Sequence, residues 1–241
     1  MVTLTINGRT LSAKEGQTIL EVARLSGIYI PTLCQDEAVS AYGACRLCLV
    51  EATKRGRTKL VASCLYPVEE GLEVITDSDR IAGIRRNIIE LLLAGCPEAT
   101  SVKRLAAELG VTGTRFPVEE AENRCTLCAL CTRVCQEVVG QSAISLVNRG
   151  TQRQVALPFF DDSSACIACG SCAYICPTGA ITLEDSGSMR IISWPHCRVE
   201  FPLLKCQKCG AYWMPEKQAQ FMTAKAGLTA DFFNLCPDCR D

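Results

Sequence analysis

"CTLCALCTRVCQ", Cys125 to Gln136, places four cysteines within eleven residues. The pattern returns as "CIACGSCAYICP", Cys166 to Pro177. Each run is spaced C-x2-C-x2-C-x3-C. A short strand-like stretch follows each, "GQSAISLV" after the first and "TGAITLED" after the second. The chain thus repeats a quartet, a turn and a strand carrying Ala-Ile, with "NRGTQRQVALPFFDDSS" as the linker between copies. Eight thiols in this arrangement form either two separate sites or one shared construction.

The composition narrows the chemistry. The chain has 18 cysteines in 241 residues and a single histidine. Dense cysteine can signal a disulfide scaffold, but that suits short secreted chains. The N-terminus "MVTLTINGRT" lacks a basic region followed by an apolar core, so no secretory signal is expected. Tight C-x2-C groups let neighbouring thiolates point at one ion or cluster, which favours metal over disulfides. Thiols held this way imply a reducing compartment, the cytosol. Net charge is −1 with 21% charged residues, which offers no electrostatic reason to expect nucleic acid or an anionic membrane. The longest apolar run, "IIELLLAG" from Ile88 to Gly95, falls far short of the roughly 18 residues a membrane span needs.

C-x2-C-x2-C-x3-C followed by proline is the signature of bacterial two-cluster ferredoxins, in which the fourth cysteine of each run ligates the other cluster. On that pattern [4Fe–4S] cluster A takes Cys125, Cys128, Cys131 and Cys176. Cluster B takes Cys166, Cys169, Cys172 and Cys135. Three thiolates on one tight loop grip three irons, and the fourth iron faces the other half of the repeat. Pro177 follows the second run, whereas Gln136 follows the first, a mild departure. The spacing favours clusters over disulfides or zinc.

Residues 1–77 alternate from the start, with Val2, Leu4 and Ile6 on one face. Asn7-Gly8 then signals a hairpin into "RTLSA". "TILEVARLSG" reads as a helix burying Ile19, Val22, Ala23 and Ser26, with Gly27 as its stop. "RLCLVEA" and "TKLVAS" suit a hairpin across Lys54-Arg55-Gly56, and "LEVIT" closes the unit. Strand, strand, helix, long loop, strands is the order of a β-grasp domain. Its cysteines, Cys34, Cys45, Cys48 and Cys64, are spaced C-x10-C-x2-C-x15-C, which suits a [2Fe–2S] cluster though not the plant-type spacing. The stretch "IPTLCQDEAVSAYGACRLCLVE" closely resembles the [2Fe–2S] domain that opens the large iron–sulfur subunit of respiratory complex I. The same domain occurs in diaphorase subunits of NAD-linked hydrogenases and in iron-only hydrogenases. The resemblance implies that small residues Gly43 and Ala44 let backbone N–H groups approach the cluster sulfurs and tune the potential.

Residues 78–118 read as a helical segment. "SDRIAGIRRNIIELLLAG" starts at Ser78/Asp79 and shows a stripe of Ile81, Ile84, Ile88, Leu91 and Leu92, expected to pack into a core. "TSVKRLAAELG" is a second helix, capped by Thr100 or Ser101 and stopped at Gly110. In the relatives this region carries a [4Fe–4S] site held by one histidine and three cysteines. Here Cys96-Pro97 stands where His-Pro would be, and no cysteine follows before Cys125, so no cluster is expected and Cys96 reads as a buried thiol.

Residues 119–187 hold the two quartets and read as the two-[4Fe–4S] ferredoxin domain. Residues 195–241 hold Cys206, Cys209, Cys236 and Cys239 as "CQKCG" and "CPDC", split by the helix "PEKQAQFMTAKAG". Two knuckles presenting two thiolates each make a four-thiolate zinc site the default. Mononuclear iron is the alternative, and a further cluster is a third reading. The unit is zinc-ribbon-like. His196 and Cys197 precede it; a ligand role is open to them, but four ligands are already supplied, which favours surface or packing roles. The fold class expected is α+β: β-grasp [2Fe–2S] domain, helical linker, bacterial-type two-cluster domain and C-terminal ribbon.

No G-x-G-x-x-G or P-loop occurs. One histidine leaves no plausible Ser-His-Asp or Cys-His set, and the motifs of the iron-only hydrogenase active cluster are missing. The chain carries wires and no terminal, so no catalytic residue is assigned, and flavin and NAD(P) belong on partner subunits. The family resemblance implies an electron-transfer subunit between a flavoprotein that oxidises NAD(P)H and a second redox subunit or ferredoxin; the family includes electron-bifurcating complexes. A free polyferredoxin carrier is the alternative, although such carriers are usually small and strongly acidic. A self-contained enzyme would need a substrate site that the sequence does not contain.

Overall fold

The computed structural model describes residues 1–118, 120–160 and 163–240. Asp161 and Asp162 of the linker fall outside the described residues. The chain divides into two compact units, Met1–Ala129 and Leu130–Asp241.

In the first unit, β1 (Val2–Ile6) pairs antiparallel with β2 (Arg9–Ala13) across Asn7-Gly8. Both turn residues have positive φ, 50° and 77°, as a tight two-residue hairpin requires. Helix α1 (Ile19–Leu25) starts with a reciprocal cap: Glu21 N–H donates to Thr18 Oγ1, and Thr18 N–H donates to the Glu21 carboxylate. Strands β3 (Leu49–Lys54) and β4 (Arg57–Ala62) form the second hairpin, across Arg55-Gly56. Strand β5 (Leu72–Ile75) inserts between the hairpins, parallel to β1 and antiparallel to β3, giving the order β2-β1-β5-β3-β4. Leu4, Ile6, Val50, Ala52, Leu72 and Val74 face α1 and bury Ile19, Leu20, Val22 and Ala23 beneath them. Strict alternation along the strands put these residues on one face.

Helix α2 (Asp79–Gly95) begins with Ser78 Oγ accepting from Ile81 N–H. Its fully buried row is Ile81, Arg85 and Ile89; of the stripe expected from the sequence, Ile81 belongs to that row and Ile88 and Leu92 pack against the core half-buried. Leu91 is 54% exposed. The helix meets its neighbours along one i, i+4 row, and that row includes a cation the apolar pattern skipped. Helix α3 (Thr100–Glu108) is preceded by Ala99, which makes no side-chain cap bond; neither Thr100 nor Ser101 serves as its cap. Gly110, at φ 67°, follows its end. A second core joins α2 and α3 to the loop before β3, through Leu33, Leu47, Ile89, Ala99, Val102 and Leu105.

In the second unit, α4 (Leu130–Arg133) runs into a π-helical turn, Val134–Val139, ended by Gly140 at φ 79°. The Ala-Ile pair of each copy lies just ahead of its strand, not within it: Ala143-Ile144 before β6 (Ser145–Val147) and Ala180-Ile181 before β8 (Thr182–Ser186). The linker is not plain spacer. It supplies β7 (Gln154–Ala156), which pairs with β6. Helix α5 (Ser171–Tyr174) carries Cys172. Strand β9 (Met189–Trp194) pairs with β8 and then with β10 (Cys197–Lys205), and β10 pairs with β11 (Tyr212–Pro215) in one four-stranded sheet. Pro195-His196 form the turn between β9 and β10, and Cys197 opens the latter strand. Helix α6 (Glu216–Ala226) follows β11 and ends at Gly227, φ 63°. Among the described residues, no helix is long and apolar enough to cross a membrane.

Candidate iron–sulfur and metal centres

The loop from Leu33 to Cys48 folds around its own thiols. Cys45 N–H donates to Cys34 Sγ at 3.4 Å, and Leu33 N–H donates to Cys45 Sγ at 3.5 Å. Cys48 and Cys64 bring their sulfurs to 3.4 Å. Cys34, Cys48 and Cys64 are buried, and Cys45 is half-buried. The Cys64 thiol beside Cys48 lowers the Cys48 pKa to about 6. The same contact, with burial and the other thiols, pushes Cys64 up. A cysteine pair that shares one proton in this way gives up that proton when both sulfurs bind metal.

The backbone at this loop is bent into the left-handed region at Gly43 (φ 70°) and Arg46 (φ 58°). A Cβ on Gly43 would lie 2.6 Å from Leu65 Cδ1 and 3.9 Å from Cys64 Sγ. The missing side chain lets the chain run close over the thiols. Arg85, from α2, is 5% exposed and donates from Nε to Leu47 O at 2.9 Å and from a terminal nitrogen to Leu49 O at 3.0 Å. It thereby grips both carbonyls that flank Cys48.

The two quartets share one loop conformation. Leu127 and Ala168 occupy matching positions, with φ 53° and 58°. Ala129 and Gly170 do likewise, with φ 62° and 80°. Non-glycine residues pay roughly 1–2 kcal/mol to sit there, and such strain concentrates at functional loops. Cys125 and Cys128 close the first unit; Cys131 lies on α4 and Cys176 just past α5. Around Cys125, Asn123 holds the chain to the end of α2: its side-chain amide donates to Gly95 O at 2.7 Å, and its Oδ1 accepts from Cys125 N–H at 2.9 Å. Cys96 lies buried at that end with its thiol donating to Leu92 O at 2.9 Å, and burial pushes its pKa up to about 12.

Within the second unit, Cys135, Cys166, Cys169 and Cys172 line one cleft with Ile192 and Trp194. The fourth cysteine of one run therefore sits with the first three of the other. Ala143 N–H donates to Cys135 Sγ at 3.2 Å. Burial pushes the Cys172 thiol up to about 12. The Trp194 indole N–H is buried and has no acceptor among the described residues. Four thiols, apolar walls and an unused donor match the chemistry of a cluster whose sulfurs accept hydrogen bonds. Lys217, from α6, reaches the approach to Cys166, donating to Ser163 O at 2.9 Å.

At the C-terminal site the ligand atoms of Cys206, Cys209, Cys236 and Cys239 all lie within 4.8 Å of one another. The first knuckle turns at Gly210, φ 78°, whose N–H donates to Cys206 O at 2.9 Å. In the second, Cys239 N–H donates to Cys236 O at 3.0 Å. Backbone N–H groups of Cys209 and Cys236 lower the Cys206 pKa to about 6. Arg240 lies 4.1 Å over the Phe232 ring and donates to Phe232 O and Leu235 O, fixing the chain into Cys236. Cys206, Cys209, Cys236 and Cys239 could hold a metal ion through four thiolates.

Sequence reasoning passed over Arg85, Trp194 and Lys217. Arg85 had a readable signal, a cation between Ile81 and Ile89 at four-residue spacing. Trp194 and Lys217 had none, because strand pairing and helix docking bring them to their places.

Residues 1–79 match the 2Fe-2S iron-sulfur cluster binding domain family, and residues 159–182 match the 4Fe-4S binding domain family. The NADPH-Fe(3+) oxidoreductase subunit alpha of Geobacter sulfurreducens is 35% identical over 204 residues, covering 75% of this chain and 24% of the relative. The NADP-reducing hydrogenase subunit HndD of Solidesulfovibrio fructosivorans is 36% identical over 216 residues, covering 77% and 36%. Among solved structures, a chain of an NAD+-reducing [NiFe]-hydrogenase in its H2-reduced state superposes with a TM-score of 0.58 at 31% identity, over 65% of this chain and 74% of that one. This chain spans about a quarter to a third of the length of those two curated relatives, 24% and 36%.

Proposed function

The chain belongs to the family of iron–sulfur electron-transfer subunits of NAD(P)-linked oxidoreductases, and on that premise we propose that it relays single electrons between two redox partners. One partner is a flavoprotein that oxidises NAD(P)H; the other is a second redox subunit or ferredoxin. Iron–sulfur clusters, when bound, supply one-electron redox chemistry without proton or group transfer. The residues of this chain do the rest. Cys34, Cys45, Cys48 and Cys64 hold a [2Fe–2S] cluster. Cys125, Cys128, Cys131 and Cys176 hold one [4Fe–4S] cluster, and Cys135, Cys166, Cys169 and Cys172 hold the other. Cys206, Cys209, Cys236 and Cys239 hold one zinc ion, a redox-silent structural site.

The observation that carries this reading is the cleft where Cys135 joins Cys166, Cys169 and Cys172. It supports ligand exchange between the two runs and hence a pair of neighbouring clusters. The domain limits follow the same reading: 1–77 for the [2Fe–2S] unit, 78–118 helical, 119–187 for the cluster pair and 195–241 for the ribbon. Membership of a complex that splits electron pairs between two acceptors is a further part of the proposal.

Metal analysis of anaerobically purified chain tests it. The expected content is about 2 + 4 + 4 iron and one zinc per chain, with EPR signals of a two-iron and two four-iron clusters on reduction. Iron near fourteen without zinc would refute the structural-zinc assignment. Co-purification with a flavoprotein distinguishes a subunit from a free carrier.

A further inference from the structure

Arg85 is a cation buried where proteins seldom place one. It is 5% exposed, and among the described residues no carboxylate lies within ion-pair distance of it, although the Asp77 charge acts on it from further off. Its recorded partners are two backbone carbonyls, Leu47 O and Leu49 O. Carbonyl dipoles solvate a guanidinium only in part. A buried charge without a counter-charge is costly, and breaking up a buried pair by removing one member typically leaves the other uncompensated. The guanidinium cannot relieve this by losing its proton. The Asp77 carboxylate and, after it, the Cys48 thiol are groups whose negative charge favours the cation.

The two carbonyls belong to the residues on either side of Cys48. Three of the four thiols of that site, Cys34, Cys48 and Cys64, are themselves buried. Four thiolates outweigh the positive charge of a two-iron core, so the loaded site is a net anion, and one-electron reduction makes it more so. The sequence had marked α2 as a remnant helix packing a core; its buried row instead delivers a cation to the loop beside the thiols.

We propose that Arg85 is the resident counter-charge of the [2Fe–2S] site: a positioning residue that clamps the Cys48 backbone and sets the site's reduction potential. The proposal rests on the assignment of a two-iron cluster to Cys34, Cys45, Cys48 and Cys64. A positive charge beside the site favours the reduced form. Removing it must lower the potential, because the added electron then meets less compensation. Burial keeps salt from screening the effect.

The test is an EPR-monitored redox titration of the two-iron signal in the full chain, comparing wild type with Arg85→Gln and Arg85→Lys. Arg85→Gln keeps a donor for one carbonyl and loses the charge. Its reduction equilibrium is expected to fall roughly tenfold, about 59 mV for one electron, with the four-iron potentials unmoved. Arg85→Lys keeps the charge and should stay within about threefold of wild type. A clamp without electrostatic influence would leave the potential in place while loosening the cluster, and that result overturns the proposal. Equal shifts in both variants overturn it too. If Arg85→Gln yields no folded chain, Arg85→Lys decides alone: a shift beyond about threefold sinks the counter-charge. A wild-type chain with no two-iron signal would overturn the cluster assignment itself, and the counter-charge with it.

Discussion

The sulfur of Cys48 stands 3.4 Å from that of Cys64, sixteen residues further along the chain. Strand pairing makes the contact: β3 begins just after Cys48 and β4 ends just before Cys64, with Leu49 opposite Ala62. In the metal-free chain the hydrogen bond between these two sulfurs holds the Cys48 pKa down to about 6. A folded-state pKa below the unfolded value contributes stability that is present above the unfolded pKa and lost as pH falls through the folded one. Metal-free wild type should therefore gain stability from about pH 6 up to the ordinary thiol pKa near 8.5. Cys64→Ala removes the partner sulfur. Thiolate absorbance should then appear near the ordinary thiol range instead, and an unshifted midpoint would contradict the pairing.

Gly43 gives a second prediction. Its φ of 70° and the 2.6 Å separation between a built Cβ and Leu65 Cδ1 both oppose a side chain there. Leu65 is half-exposed at its tip and can swing away, so the backbone strain should dominate. Gly43→Ala is expected to cost about 1–2 kcal/mol in chemical unfolding of the metal-free chain. Adding Leu65→Ala should recover only a minor part. Full recovery in the double variant would assign the cost to the clash instead.

The ligand exchange between runs predicts paired phenotypes. Cys135→Ser should damage the cluster gripped by Cys166, Cys169 and Cys172 and spare the one gripped by Cys125, Cys128 and Cys131. Cys176→Ser should do the reverse. Each variant is expected to lose up to about four irons per chain, and the two should lose different EPR signals. If each serine removed the cluster of its own run, the exchange would be wrong.

Arg240 predicts behaviour at the C-terminal site. It ties the Phe232 and Leu235 carbonyls and packs on the Phe232 ring, directly ahead of and behind the second knuckle. Its bonds go to the backbone just ahead of Cys236 and not to the sulfurs. Arg240→Ala is expected to weaken metal retention about 10–100-fold in competition with a chelator, as losing support outside the ligands commonly does. Retention equal to wild type would show that the knuckles hold themselves.

Much of this was legible without coordinates because the signals were local. Asn7-Gly8 and Arg55-Gly56 adopt left-handed turns, as their positions between alternating runs implied. Thr18 and Ser78 cap the helices they precede. The C-x2-C spacings told of clustered thiols because three-residue loops can only return to one point. Errors arose where distant parts decide. Ala99 precedes α3 in place of Thr100 or Ser101, a matter of one residue that neighbouring packing sets. The stripe on α2 was assigned by hydropathy, whereas the buried row of Ile81, Arg85 and Ile89 was chosen by what the helix meets. The linker looked featureless, yet Gln154–Ala156 became a strand because β6 offered an open edge.

By itself the sequence determined the number, spacing and grouping of the thiols, the order of strands and helices in the first unit, and the lack of nucleotide and nucleophile motifs. These follow from short-range geometry: alternation, turns, caps and loop closure. The tertiary structure alone decided which charges and donors stand beside those thiols. Arg85 reaches the Leu49 and Leu47 carbonyls, on either side of Cys48, across 36 and 38 residues of sequence, and Lys217 reaches Ser163 across 54. No periodicity encodes such meetings, because they depend on how whole elements pack and not on the residues beside them.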